Sequence, residues 1–396
     1  MKLLQLTLRV PWPPLDGGSQ AMLHLALALR QAGCPLTVAA LNTSKHPAPP
    51  DALDRLAPAW ATDIDTAIRP LAALRSLLAG SRPYNVERFW SEAHARRLAA
   101  HVAANRPDLI LCEGLYLALY LDAMRRAAPG VPVVLRAHNV EFRIWERYAA
   151  AEAPGPRRWY VGHLARRGQH YERQQLPRFD GVLAFTAADA AQFRALGYGG
   201  PLAVLPPGID LPDLLPGSPP VPLRLGFLGS LDWLPNVQGL DWFLDAVWPR
   251  VRALVPQAEF HVAGRNPPAA LLARRDPGLR VVGGVPEAGP FLAGCQVLVV
   301  PLLSGSGIRM KILEGMAWGK AVVTTPIGAE GIDAPEGDCL QRADTPDAFA
   351  RACAALLTDA AAAARQGQAA RTWVSDHFSW AALVPRYLDF FRCVAP

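Results

Sequence analysis

The chain alternates short apolar segments with longer amphipathic ones from end to end, and this alternation constrains its fold more than any other feature. Between the first two apolar segments, residues from Met22 to Ala32 place apolar side chains at helical spacing, and Gly33 then ends the predicted helix. Such alternation is typical of parallel sheets covered by helices on both faces. The predicted strands of the first half are Leu3–Leu8, Leu36–Leu41, Leu109–Glu113, Val133–Ala137 and Gly181–Phe185. Those of the second half are Leu223–Leu228, Glu259–Ala263, Leu279–Val282, Val297–Pro301 and Ala321–Thr324.

Two domains follow from the length and from one change in composition. A chain of 396 residues is longer than one core ordinarily organises, since most domains hold about 100–200 residues. Residues 206–222 are rich in proline and glycine and have no periodic apolar face, so we predict an interdomain linker there. We therefore expect an α/β fold of two Rossmann-like doubly wound domains facing across a cleft, at 1–205 and 223–377. A last helix, in 378–396, is expected to pack back on the first domain.

The net charge and the distribution of cysteines limit which cellular compartment and which binding partners we expect. A formal net charge of +6 suits anionic small molecules or an anionic lipid surface, and it is too small to indicate nucleic acid. The six cysteines are scattered without metal-ligand spacing, which is typical of reduced thiols in a cytosolic protein. The apolar run after Lys2 is too short for a signal peptide, and no run of 18 apolar residues predicts a membrane span. We expect a cytoplasmic protein, with peripheral contact at the inner face of the membrane left open.

Residues 299–332 carry the strongest functional signal. A predicted strand runs there into a serine–glycine turn, and a helix is expected to start near Ile308. Glycines let backbone N–H groups approach phosphate oxygens, and a helix N-terminus adds a favourable dipole. Two cations beside the turn suit a diphosphate, and a glutamate further along the helix could accept hydrogen bonds from ribose hydroxyls. An ordinary strand–turn–helix with solvated charges is the alternative. The candidate residues are Ser304, Gly305, Ser306, Gly307, Arg309, Lys311 and Glu314.

This segment resembles the donor-binding signature of the retaining family 4 glycosyltransferases, and its GSGIRMK motif is similar to that of one bacterial branch. The signature combines a glycine-rich loop, a glutamate in the following helix and text like the GKAVV at 319–323. Other segments agree in order: residues 10–20 resemble the family's first glycine-rich loop, and residues 136–141 resemble its histidine segment. PPGID resembles the end of the family's N-terminal domain, and residues 226–236 resemble the opening of its donor domain. The resemblance covers essentially the whole chain and implies the GT-B fold.

The resemblance also implies an activity and roles for individual residues. It implies transfer of a sugar from a nucleotide-diphosphate sugar to a glycan or lipid-linked acceptor with retained configuration, in cell-envelope or exopolysaccharide assembly. The catalytic residues would be His138, Arg309, Lys311 and Glu314, with His138 contacting a sugar hydroxyl near the reacting carbon. The donor would also contact Gly229, Ser230, Arg265, Glu287 and the turn from Ser304 to Gly307. The acceptor or phosphate loop would comprise Asp16, Gly17, Gly18, Arg136, Asn139 and Glu141. A plain turn with Ser19 as the helix N-cap also explains the first loop.

The chain departs from the family pattern at two places. Many members carry a glutamate eight residues before the one that corresponds to Glu314, and here that position is Ser306. The loop that opens the donor domain has neither the arginine nor the lysine common there, so the diphosphate would be neutralised by Arg309 and Lys311. Two alternatives stay open: a nucleotide-sugar epimerase of the same fold, and a non-catalytic nucleotide- or carbohydrate-binding subunit.

Two further patterns concern metals and membranes. Asp63-Ile64-Asp65 could hold Mg²⁺ against a diphosphate, but the pair lies in a stretch with no predicted strand leading into it. We expect no metal and no cofactor besides the nucleotide sugar as co-substrate. The segment Arg157–Phe179 holds six arginines and one glutamate with interleaved aromatics. Such a helix either lies on anionic lipid or presents a solvated face, and both interpretations stay open.

Overall fold

The computed structural model describes residues 1–14, 16–69, 72, 75–76, 82–152, 154–212, 220–305 and 307–395. The chain forms two compact units. The first comprises Met1–Gly208 and Leu383–Pro396, and the second comprises Ile209–Ala382. Residues 213–219 of the expected linker lie outside the described part of the chain.

The first unit is built on a seven-stranded parallel sheet with the order β3-β2-β1-β4-β5-β6-β7. Its central strands are fully buried, as their continuous apolar runs predict for a sheet covered on both faces. The edge strands β3 and β7 are absent from the sequence-based prediction. The strands are β1 (Leu3–Thr7), β2 (Leu36–Thr43), β3 (Ala59–Ile64), β4 (Leu109–Glu113), β5 (Val133–Ala137), β6 (Gly181–Ala184) and β7 (Leu202–Val204).

Helices cover both faces of this sheet. The longest of them, Pro156–Gln175, runs on into a short 3₁₀ turn at Leu176–Arg178. A second 3₁₀ turn, Leu115–Tyr120, follows β4. The helices of the first unit are α1 (Gly17–Gln31), α2 (Ala52–Leu56), α3 (Tyr84–Glu87), α4 (Glu92–Asn105), α5 (Leu121–Ala127), α6 (Glu141–Ala151), α7 (Pro156–Gln175) and α8 (Ala187–Ala195).

The second unit repeats the design with a six-stranded parallel sheet of order β10-β9-β8-β11-β12-β13. The strand β13 has only two residues and was not predicted. The helix after β11 begins at Met310, two residues later than expected. The strands are β8 (Arg224–Leu228), β9 (Glu259–Ala263), β10 (Leu279–Gly283), β11 (Val297–Val300), β12 (Ala321–Thr324) and β13 (Gln341–Arg342).

The helices of the second unit include one π-helical segment, Phe243–Val247, which joins the first two of them. The others are α9 (Leu234–Trp242), α10 (Trp248–Leu254), α11 (Ala269–Ala273), α12 (Ala288–Ala293), α13 (Met310–Ala317), α14 (Pro346–Thr358) and α15 (Ala360–Phe378).

The last helix, α16 (Trp380–Val394), packs on the first sheet beside β6. A Cβ added to Gly181 would lie 3.0 Å from the Phe390 ring and 2.9 Å from Val394, so glycine permits the close approach. Tyr387 of this helix is fully buried, and its hydroxyl lies 3.1 Å from the Pro206 carbonyl oxygen. The last helix therefore contributes to the core of the first unit, although most of that unit is formed by residues 1–208.

The expectation that Asp63-Ile64-Asp65 lies in an irregular stretch is wrong, because β3 extends to Ile64. Asn42 donates a hydrogen bond to Asp63 at 2.7 Å, and Arg69 pairs with Asp65 at 2.7 Å. In the described ranges, no cluster of three or more His, Cys, Asp or Glu has metal-ligating geometry. Over the same ranges, no helix combines the length and the apolar character needed to cross a bilayer.

Two helical glycines should respond in opposite directions to alanine. A Cβ on Gly367 of α15 would collide with the carbonyl oxygen of Gly319, whereas nothing lies within 4 Å of a Cβ on Gly162 of α7. We expect Gly367→Ala to lower the free energy of unfolding by about 1–3 kcal/mol through overpacking. Gly162→Ala should raise it by about 0.5–1 kcal/mol, because alanine loses less backbone entropy on folding. Denaturant unfolding of both variants measures this, and equal stabilisation would mean that α15 moves away from Gly319 freely.

Candidate functional site

Both sheets gather polar side chains at the edge where the parallel strands end. The order of strands reverses between β1 and β4 in the first unit, and between β8 and β11 in the second. Ligands of open α/β sheets bind outside the carboxyl ends of the strands at such reversal points. We call the groups that follow β8 and β11 the second-unit site, and those that follow β1, β4 and β5 the first-unit site.

Lys311 organises the second-unit site. Its ammonium donates a hydrogen bond of 2.7 Å to the side-chain oxygen of Asn236 and lies 4.6 Å from the centre of the Phe227 ring. Asn236 in turn donates to the carbonyl oxygen of Ser230 at 2.6 Å. A Cβ on Gly229 would lie 2.5 Å from the Lys311 Nζ, so the glycine makes room for the ammonium. The loop after β8 and the helix after β11 are thereby joined through one lysine.

The environment of Lys311 favours an anion nearby. Burial, together with the neighbouring charge of Arg309, lowers the pKa of Lys311 to about 7, and Glu314 opposes the shift. Glu314 lies one turn further along α13, half-buried. A buried ammonium with a lowered pKa gains from any anion that approaches, because the anion favours its charged form. The electrostatics are suited to a phosphate group.

The serine–glycine turn supports Arg309. Arg309 is buried, and its guanidinium carbon lies 5.9 Å from the centre of the Trp233 ring. Gly305 has a φ of +121°, and a Cβ there would lie 2.7 Å from a guanidinium nitrogen of Arg309. This glycine therefore makes room for an arginine as well as allowing the turn. Gly307 is also left-handed, at φ +78°. Ser304 donates to Gln238 at 3.2 Å, and Ser306 lies outside the described residues.

The other predicted donor contacts lie further from Lys311 along the sheet edge. Arg265 is exposed after β9, and its backbone carbonyl accepts a 2.9 Å hydrogen bond from Leu231. Glu287 is exposed just before α12. The Ser230 hydroxyl lies 2.5 Å from a carboxylate oxygen of Asp232. The structure therefore brings Gly229 and Ser230 to Lys311 and leaves Arg265 and Glu287 on exposed loops.

Two residues of the segment 299–332 have structural roles. Lys320, in the GKAVV text, is buried and donates to the Ala293 carbonyl oxygen at 3.1 Å. Thr325 donates to the Leu302 carbonyl oxygen and accepts a hydrogen bond of 2.9 Å from the Gly328 N–H. Lys320 thus joins the turn before β12 to the end of α12, and Thr325 joins the loop after β12 to the loop after β11.

Glu113 is the centre of the first-unit site, and the sequence analysis missed it. It ends β4 and has no exposed side-chain surface. Its carboxylate accepts hydrogen bonds from Gln5 at 2.7 Å and Arg136 at 3.1 Å, and lies 2.6 Å from the Nε2 of His138. Burial raises the pKa of Glu113, but the charge of Arg136 and the bonds from His138 and Gln5 outweigh it, so the pKa is lowered overall. Glu113 stays ionised and orients His138.

Arg136 does not line a surface, which corrects its expected place in the acceptor loop. It is fully buried, donates to the Tyr387 hydroxyl at 3.1 Å and to the Ala21 carbonyl at 2.9 Å, and lies over the Phe185 ring at 4.8 Å. A guanidinium in this position supports Glu113 and cannot meet an acceptor.

The first glycine-rich loop and His138 are brought together. Asp16, and not Ser19, is the N-cap of α1: its carboxylate accepts from the Ser19 N–H at 2.9 Å and pairs with Arg9 at 2.5 Å. Gly17 begins the helix. A Cβ on Gly18 would lie 3.0 Å from an Arg9 nitrogen and 4.0 Å from the Nδ1 of His138. Gly18, Glu113 and His138 line one pocket with a volume of about 230 Å³.

Glu141 belongs to a buried acidic pair, away from the lining of that pocket. Asn139 is half-buried next to His138, and Glu141 begins α6. Burial raises the pKa of Glu141 to about 7, against a hydrogen bond with Tyr116. Glu172 of α7 accepts from the Glu141 N–H at 3.3 Å, and burial and the charge of Glu141 raise the pKa of Glu172 to about 8. The pair joins α6 to α7.

Two parallel doubly wound units, each with polar groups at its strand reversal, define the GT-B class of fold. Residues 15–212 match the family model described as Glycosyltransferase Family 4, and residues 222–359 match that described as Glycosyl transferases group 1. The first model covers half of the chain. The chain therefore belongs to the glycosyltransferases, and the expected two-domain Rossmann-like fold is confirmed.

Solved structures of the same fold extend over the whole chain. Anabaena HepE in complex with UDP has a TM-score of 0.70 at 14% identity and covers 99% of this chain and 100% of its own. Staphylococcus aureus TarM with fondaparinux, alpha-GlcNAc-glycerol and UDP has a TM-score of 0.68 at 11% identity, and the match covers 99% of this chain and 100% of TarM. The lipopolysaccharide outer core galactosyltransferase WaaB has a TM-score of 0.65 at 12% identity, and the match covers 99% of both chains. At these identities the likeness establishes the fold.

One curated relative comes from Klebsiella pneumoniae, an uncharacterized 44.6 kDa protein in the cps region, 28% identical over 135 residues. The match spans 32% of this chain and about a third, 34%, of the relative's length.

The acidic pair predicts a pH-dependent stability. Glu172 ordinarily titrates near 4.5, and its pKa is raised to about 8 in the folded chain. The folded state therefore keeps a proton that the unfolded state loses, so this contribution to stability is present below about pH 4.5 and is lost as the pH rises towards 8. Glu172→Gln stays neutral and its side-chain oxygen still accepts the Phe142 N–H, which now bonds Glu172 at 3.2 Å. We expect the variant to gain about 1–3 kcal/mol over the wild type between pH 5 and 8.

Denaturant unfolding across this pH range measures the gain. Glu92→Gln, on the exposed face of α4, is the matched control and should show a difference that does not change with pH. A constant difference for Glu172→Gln as well would mean that Glu172 is ionised in the folded chain at pH 5.

Proposed function

We propose that the chain transfers a glycosyl group from a nucleoside-diphosphate sugar to an acceptor hydroxyl with retention of configuration. The observation that carries this proposal is the Lys311–Asn236 hydrogen bond of 2.7 Å at the strand reversal, with Arg309 at the start of the same helix. Two cations and a helix N-terminus converge where an α/β sheet binds its ligand, which suits a diphosphate. HepE and TarM, which share the fold, were solved with UDP, and HepE also with UDP-glucose.

In this reaction the bond between the anomeric carbon and the phosphate oxygen breaks, and a bond to the acceptor oxygen forms. The acceptor hydroxyl approaches on the face from which the diphosphate leaves, and its proton passes to a phosphate oxygen. Negative charge grows on the departing diphosphate, and Lys311, Arg309 and the N-terminus of α13 would stabilise it. Glu314 would accept a hydrogen bond from a ribose hydroxyl. No metal is required in this scheme.

The first-unit site would hold the acceptor. His138 and Gly18 line its pocket, and the Glu113 carboxylate lies 2.6 Å from the Nε2 of His138. In the neutral ring, a carboxylate on one nitrogen holds the proton there, so that the other nitrogen, Nδ1, is the acceptor. We propose that Nδ1 accepts a hydrogen bond from a sugar hydroxyl near the reacting carbon.

Removal of Lys311 or Glu314 should abolish most donor turnover. We expect Lys311→Ala and Glu314→Ala each to lower kcat/KM for the donor by about 10²–10³-fold, as the loss of one charge-stabilising group does in other enzymes. Arg275→Ala is the matched control, because Arg275 is exposed in the same unit and, within the described ranges, its side chain donates to two backbone carbonyls of its own segment. The measurement is release of nucleoside diphosphate from a panel of UDP-, GDP- and ADP-sugars with sugar acceptors.

Near-normal donor turnover in both Lys311→Ala and Glu314→Ala would contradict the proposal that these residues form the donor site. Formation of an epimer from the donor alone would indicate an epimerase, and nucleotide binding without turnover of any donor would indicate a binding subunit. A calorimetric titration with each nucleoside diphosphate separates the loss of binding from the loss of chemistry.

We propose further that the acceptor is lipid-linked, in cell-envelope or exopolysaccharide assembly, and that α7 contacts anionic lipid. Arg157, Arg158 and Arg166 are exposed on this helix beside Trp159, whose residue surface is 58% exposed. Exposed arginines around an indole suit the interface of an anionic membrane. Tyr171 is buried, so the contact would be confined to the first half of the helix.

Charge reversal on this helix should weaken vesicle binding. Arg158→Glu/Arg166→Glu is expected to lower the affinity for vesicles containing phosphatidylglycerol by at least about tenfold, since each basic residue near the surface contributes about 1 kcal/mol. Arg96→Glu/Arg126→Glu, at exposed positions elsewhere in the first unit, is the control with the same change in charge. Equal vesicle flotation of both double variants and the wild type would contradict the lipid contact.

A further inference from the structure

The pocket that contains His138 is lined by three permanent cations from separate segments. Arg9 follows β1, Lys45 follows β2, and Arg88 follows α3. The pocket lies at the carboxyl ends of the central strands, next to the first turn of α1. The three cations therefore converge where a sheet of this kind binds its ligand.

The acidic groups near these cations are already engaged. Glu113 lines the pocket, but its charge is met by the buried Arg136 at 3.1 Å. Asp16 pairs with Arg9. Among the described residues, no carboxylate pairs with Lys45 or Arg88. Burial and the charges of Arg9 and Lys45 lower the pKa of His46, which also lines the pocket, as expected for a positive local potential.

Two polar groups of the lining are buried and lack a partner in the part of the chain that the structure describes. Thr43 is 3% exposed, and its hydroxyl has no hydrogen-bond partner. Arg88 donates one bond to the Thr66 carbonyl at 3.1 Å, while its Nε is buried without a partner. Unsatisfied buried donors are costly, and a bound acceptor group relieves that cost.

We propose that the pocket binds an anionic group, a carboxylate or a phosphate, carried by the sugar acceptor, through Lys45 and Arg88. This inference rests on the proposed glycosyl transfer and specifies its acceptor class. A volume of about 230 Å³ is below the roughly 300–1,000 Å³ of pockets for drug-sized ligands, so it suits one charged sugar or a phosphate head. The same anion chemistry could come from the phosphates of the donor, and the experiment separates the two sources.

The experiment measures binding of two matched pairs of probes to the full chain by calorimetry or ligand-observed NMR. Methyl β-D-glucuronide is compared with methyl β-D-glucoside, and sn-glycerol 3-phosphate with glycerol, each with and without saturating UDP. We expect at least one acid to bind at least about tenfold more tightly than its neutral partner, with UDP making no difference. Lys45→Gln and Arg88→Met should each weaken the acid by at least about fivefold, as loss of one charge-assisted hydrogen bond does. Arg126→Gln, an exposed charge loss elsewhere in the unit, should leave it unchanged.

Three results would overturn the inference. The first is equal binding of each acid and its neutral partner, and the second is unchanged acid binding in both Lys45→Gln and Arg88→Met. The third is displacement of the acid by UDP, which would assign the cations to the donor phosphates. Lys45 is exposed, so its variant tests the pocket even if Arg88→Met fails to fold. The donor-turnover assay of Lys311 and Glu314 is independent: acid binding that persists while that assay fails would leave an anion site on a protein with another function.

Discussion

The first unit depends on the buried ion pair between Arg136 and Glu113. Removing two charges from water costs several kcal/mol per ion, and only good geometry with further hydrogen bonds offsets that cost. Both side chains have such bonds: Glu113 accepts from Gln5 and His138, and Arg136 donates to Tyr387 and to a carbonyl of α1. The pair therefore fixes three strands and the last helix to one polar centre. Glu113, which would orient His138 at the pocket, is thus held by Gln5 near the start of the chain and, through Arg136, by Tyr387 near its end.

The central strands of both sheets were predictable because burial on both faces requires continuous apolar runs. Four of them, Leu109–Glu113, Val133–Ala137, Glu259–Ala263 and Ala321–Thr324, were predicted to the residue. The edge strands β3, β7 and β13 were not, because an edge strand meets solvent and need not have a continuous apolar run, and β7 and β13 are also short. The error over Asp63-Ile64-Asp65 has this cause. The edge strand β10 was predicted from Leu279, since its sequence keeps a short apolar run.

The second-unit site was more visible in the sequence than the first-unit site. Its two cations and two of its glycines, Gly305 and Gly307, lie within one strand–turn–helix, so their spacing indicates their proximity. Glu113 reads as the last residue of an apolar strand, and its partner Gln5 is 108 residues away. Residues 136–141 were expected to act together, but neighbours in a strand and the turn after it point in different directions. Arg136 therefore points into the core, while His138 reaches the pocket and Glu141 joins an acidic pair.

The hydrogen bond between Glu113 and His138 determines which nitrogen of the imidazole a ligand can meet. Because Nε2 lies 2.6 Å from the Glu113 carboxylate, Nδ1 is the nitrogen left for a ligand, and a sugar hydroxyl, which can both donate and accept a hydrogen bond, suits it. The charge of a ligand in this pocket would be met by other groups, and Lys45 and Arg88 are the permanent cations of the lining that are not already paired with a carboxylate in the described ranges. One pocket thereby offers an imidazole nitrogen for a hydroxyl and cations for an acidic substituent, which is the arrangement that an acidic sugar would need.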